Sequence, residues 1–65
     1  MKISDAEDLA GGRIQLAKAL KVTTRAIQKW NKESEELPAE RFYQLAGMYA
    51  MKQWKPVAGK KFPKP

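Results

Sequence analysis

Cysteine and histidine are both missing from this 65-residue chain. Their absence removes disulfide staples and the commonest zinc ligands, so nothing covalent or metal-bound is expected to support the fold. A chain this short buries little apolar surface. Its stability is expected on the order of 3–5 kcal/mol, reached by well-packed helices, by oligomerisation, or by both. Long apolar runs are missing as well: nothing approaches the roughly 20 residues that span a bilayer. The N-terminal MKISDAEDLA is acidic and has no apolar signal-peptide region. The expectation is a cytoplasmic protein without a membrane partner. With no Cys or His, and with its few carboxylates at apparent helix starts and in a loop, the chain shows no nucleophile–base pair and no metal-ligand set. It is expected to have no catalytic residues, no metal, no cofactor and no small-molecule substrate.

Charge of one sign is also missing from long stretches. Between residues 13 and 32 stand Arg13, Lys18, Lys21, Arg25, Lys29 and Lys32, with no acid among them. From Lys52 onward come Lys55, Lys60, Lys61 and Lys64, again without an acid. The acids are confined to Asp5, Glu7 and Asp8 and to Glu33, Glu35, Glu36 and Glu40. A net charge of +6 segregated in this way points to a polyanionic partner, nucleic acid before an anionic membrane.

The pattern of apolar residues is helical throughout. Ser4 and Glu7 have capping-box spacing and open a first helix, with Ala6, Leu9 and Ala10 inward and Gly11-Gly12 as its stop. A second helix over about 13–20 turns Ile14, Leu16, Ala17 and Leu20 inward. Lys21-Val22-Thr23 breaks it, and Thr23 can cap a third helix over about 24–31. Winding TTRAIQKWNK as a helix sends Ala26, Ile27 and Trp30 to one side and Arg25, Gln28, Lys29 and Lys32 to the other. After a polar loop, Pro38 sits at the first position of a fourth helix, which reaches Ala50 or Trp54 and is open to a kink at Gly47. The final KPVAGKKFPKP holds three of the four prolines. It is read as a flexible basic tail over 55–65, outside a domain over 1–54.

Two short helices joined by a three-residue turn make the helix-turn-helix plan, with the second helix offered to a DNA major groove. Its outward stripe has suitable chemistry. Arginine can bond guanine O6 and N7, glutamine can bond adenine N6 and N7, and lysine serves guanine or phosphate.

On these residues the segment GGRIQLAKALKVTTRAIQKW resembles the helix-turn-helix of Cro-type phage repressors, within the lambda-repressor-like superfamily. LPAERFYQLAGMYA is similar, more loosely, to the C-terminal part of the all-α Cro branch. The resemblance implies an all-α fold of four or five short helices. It also implies a repressor that binds a pseudo-palindromic double-stranded DNA operator as a homodimer, weak or formed only on DNA. Base-reading positions would be Thr24, Arg25, Gln28 and Lys29, with Thr23 and Lys32 flanking on the backbone. One departure is Lys21, which stands where the family usually has a glycine in the left-handed conformation.

Beyond the motif, Gly12 and Arg13 at a helix start are candidates for phosphate contact, as are Lys60 and Lys61, and Lys64 with them, in the tail. Tyr43, Met48, Met51 and Trp54 exceed what so small a core can absorb and are read as a dimer interface. Three alternatives stay open: an excisionase-like recombination directionality factor, a protein-interaction module using the apolar fourth helix, and a peripheral membrane binder, against which the weak amphipathicity of the tail argues.

Overall fold

Four helices follow one another along the chain: Ile3–Ala10 (α1), Arg13–Leu20 (α2), Thr24–Glu33 (α3) and Ala39–Ala50 (α4). The computed structural model describes residues 1–57 and 59–63. Among these residues there is no strand, only an isolated antiparallel bridge between Lys2 and Glu36, so the fold is all-α as expected. No helix is long and apolar enough to cross a membrane.

The core takes at least one fully enclosed side chain from every helix: Ile3, Leu16, Leu20, Ile27 and Leu45. α1 packs across both α2 and α3, while α4 leans on α2. Ala17 is buried beside Leu16 and Leu20 on the inner face of α2.

The helix ends show why the chain turns where it does. Val22 N–H bonds Ala17 O at 3.0 Å and Lys21 N–H bonds Lys18 O at 3.3 Å, closing α2 with paired C-terminal bonds. Lys21 takes φ 58° and ψ 43° to allow this, the left-handed conformation that favours glycine. Left-handed residues also follow α3 at Glu35 and α4 at Lys52, with φ values of 60° and 59°. Each of these side chains crowds its own backbone at a cost of about 1 kcal/mol. Lys21→Gly should therefore raise stability by about 0.5–1 kcal/mol, a rise in Tm of about 2–8 °C for a domain of this size. Thermal unfolding followed by circular dichroism checks it; an unchanged or lowered Tm would show that the turn is unstrained.

Four expectations are corrected. Ser4 is not a cap: it lies inside α1, whose N-cap is Lys2 with no side-chain hydrogen bond. The open backbone is met instead by a distant loop, Ile3 N–H donating to Glu35 O at 3.0 Å, because burying Ile3 completely draws the helix start against that loop. Ile14 is 63% exposed rather than inward, since Leu16, Ala17 and Leu20 define an inner face that lies about a quarter-turn or more away from it. Pro38 is the N-cap of α4, and that helix runs unbroken through Gly47 to Ala50.

The fourth correction concerns the tail. Proline and glycine keep residues 51–63 from forming a regular element, yet the described part is fixed in place. Val57 N–H bonds Leu9 O at 2.9 Å, and Lys60 Nζ lies 2.7 Å from the Asp8 carboxylate. Phe62, 8% exposed, stacks on Phe42 and Tyr49 with centroids 5.5 and 5.4 Å away and meets the edge of Trp54 at 6.0 Å. Gly11 admits this strap: a Cβ there would come within 2.9 Å of the Val57 side chain, and its φ of 90° already requires glycine. Residues 58, 64 and 65 of the proposed tail, Lys64 included, lie outside the described residues.

Candidate nucleic-acid interface

The exposed face of α3 is built from its cap upward. Thr23 Oγ1 accepts the Ala26 N–H at 3.1 Å, so the cap expected from the sequence forms and the register of the helix is set. Ile27 is then fully buried, with Ala26 and Trp30 half-buried beside it. Helical geometry leaves Thr24, Arg25, Gln28, Lys29 and Lys32 on the far side, and all five are exposed. No ion pair among the described residues engages Arg25, Lys29 or Lys32. Lys18 at the end of α2 and Lys21 in the turn are exposed as well. The result is a ridge of uncompensated positive charge with a glutamine in its middle, carried on a rigid helix.

Other candidate positions stand apart from that ridge. The Gly12 N–H, proposed for phosphate, is already spent on Glu7 O at 2.7 Å. Arg13, proposed beside it, forms an ion pair with Glu7, whose carboxylate was expected to cap α1. Both are engaged within the chain for the same physical reason: closing α1 brings its last turn against the start of α2. Lys60 is paired with Asp8, and Lys61 lies with it along the α1 surface that carries Asp5 and Asp8, in a shallow hollow.

The proposed dimer residues divide into two pairs. Tyr43 and Met51 are 68% and 67% exposed. Met48 and Trp54 are half-buried, Trp54 being held against Phe62. The strap thus gives Trp54 a partner within its own chain.

Two residues near the ridge escaped the sequence reading. The Arg41 guanidinium lies 5.9 Å from the centre of the Trp30 ring and donates to Gln44 Oε1 at 2.9 Å. Gln44 Nε2 in turn donates to Leu20 O, the last residue of α2, at 3.1 Å. Polar residues three apart on an otherwise apolar helical face were the available signal.

The family described as bacterial toxin YdaS matches the chain over residues 3–55. The match takes in all four helices and stops short of the strap's Phe62. No curated protein and no solved structure matches the chain.

Proposed function

The chain belongs to the bacterial toxin YdaS family, and from that premise we propose that it is a non-catalytic, sequence-specific DNA-binding protein of the cytoplasm that represses transcription in the manner of Cro-type phage repressors. The observation that carries this reading is the exposed stripe of α3 formed by Thr24, Arg25, Gln28, Lys29 and Lys32, whose cations join no ion pair among the described residues, with Glu33 at the helix's last position marking its edge. With α3 in the major groove, Arg25, Gln28 and Lys29 reach base edges and Thr24 sits at the groove wall. Thr23 and Lys32 meet the flanking phosphates. Occupancy of an operator excludes polymerase sterically. Random-site selection with the purified chain tests this: a preferred sequence supports it, and recovery of no preference at low salt overturns it.

The proposal includes a homodimer, weak in solution or formed only on DNA. The longest extent of the backbone is 29 Å, so one chain cannot put recognition helices into two half-sites about 34 Å apart. The side of α4 opposite Leu45 carries Tyr43, Gly47, Ala50 and Met51, all exposed and none charged. Glu40 and Lys52 stand at its two ends. Antiparallel pairing of two copies across a two-fold axis would set unlike charges together at both ends and leave space over Gly47 and Ala50 for a tyrosine ring. Tyr43→Glu should give a monomer in sedimentation at concentrations where the parent chain self-associates. It should also lose binding to a two-half-site duplex while retaining binding to a single half-site. A parent chain that stays monomeric in solution and binds each duplex one copy at a time refutes the dimer.

A further inference from the structure

We propose that Arg41 and Gln44 are positioning residues that set the angle of the recognition helix, an inference that rests on the DNA-binding reading of α3. α3 carries only one fully buried side chain, Ile27, and its backbone packs on α1 and α2 but not on α4. A helix with one fully buried side chain can still roll about its axis. The second anchor is the chain Trp30–Arg41–Gln44–Leu20. Its first member is on α3, its last is at the C-terminus of α2, and both middle members are on α4.

Each link has a physical role. Arg41 covers the Trp30 ring with a cation, and the planar guanidinium keeps a hydrogen bond to Gln44 while doing so. Gln44 fills a carbonyl at the end of α2 that has no partner within its own helix. Roll of α3 about its axis would carry Trp30 from under the guanidinium and break the series at its weakest contact. Arg25, Gln28 and Lys29 project from the same helix as Trp30, so the roll that the bridge resists is the roll that would move their tips across base pairs. Phosphate contacts tolerate such a shift and base-edge contacts do not.

The test separates positioning from direct contact. Arg41→Met keeps the aliphatic stem, and Gln44→Ala removes the next link. In the protein alone, either variant should speed amide hydrogen exchange across α3 about tenfold while α1 is unchanged. On DNA, affinity for the duplex recovered by selection should fall about tenfold, and affinity for a scrambled duplex should hold. The double variant should be no worse than either single one, and Arg41→Lys should fail to rescue. Equal loss on both duplexes, restored by Arg41→Lys, would make Arg41 a phosphate contact and overturn the proposal. Unchanged exchange in α3 would overturn it as well. Should the parent chain prefer no duplex, the repressor reading fails and the exchange measurement still decides the bridge.

Discussion

Phe62→Ala should lower stability by about 3 kcal/mol and Tm by more than 10 °C. The residue is enclosed by Phe42 and Tyr49 on its faces and by Trp54 at its edge, and is 8% exposed. Removing a buried phenyl ring costs roughly 3–5 kcal/mol, and paired rings add about 0.5–1.5 kcal/mol to simple burial. The lower end applies because the strap is anchored from one side and can lift away, which limits the loss to what the strap itself contributes. Even so, the loss is comparable to the whole stability expected of a domain of this size, roughly 3–5 kcal/mol. Lys60→Ala is the control: the ion pair to Asp8 joins two solvent-exposed groups and should change stability by less than about 0.5 kcal/mol. Circular dichroism melts of the three proteins decide the matter. A Phe62→Ala protein that melts with the parent would show that the strap is not part of the core. Removing residues 56–65 would thus act first on folding, and a fall in DNA affinity after that truncation could not be credited to lost lysines.

The double reversal Arg25→Glu with Lys29→Glu should weaken binding to the selected duplex more than a thousandfold without altering the melt. Both side chains are exposed and in no ion pair among the described residues, and glutamate is as good a helix former as the residues it replaces. Each lost base contact costs roughly 1–3 kcal/mol, and two carboxylates brought against the duplex add like-charge repulsion of several kcal/mol. Anisotropy titrations over a range of salt concentrations provide the reading, in which the salt slope should fall together with the affinity. Affinity within threefold of the parent would place the DNA-binding surface elsewhere. The same variant bears on the family's description as a toxin. If growth inhibition on overexpression follows from operator occupancy, the reversal abolishes it. Persistent inhibition would require a second activity.

The helix-turn-helix was legible in the sequence because its determinants are local. Thr23 caps α3 from three residues away, and period-3.6 burial decides which side of TRAIQKWNKE faces solvent. Lys21 was recognised as standing at a left-handed position, and the backbone adopts that conformation. What stayed hidden depended on residues distant in sequence. The partner of Ile3 N–H is Glu35 O, and that of Val57 N–H is Leu9 O. Ser4 and Glu7 had capping spacing, but spacing could not reveal that Glu7 would be claimed by Arg13. Proline and glycine content correctly ruled out a helix in the tail. It said nothing about an irregular segment whose Phe62 is buried, since that depends on a site assembled from Phe42, Tyr49 and Trp54.

The strap has a consequence for how the protein is made. Its contacts join residues as far apart as 8 and 60, a separation of 52 in a 65-residue chain. Contacts of that range form late and slow the search for the native state. A nascent chain that has not yet released Phe62 leaves Phe42, Tyr49 and Trp54 without their lid. Completion of the core therefore comes after all four helices have been made, when Phe62 is free to close over them.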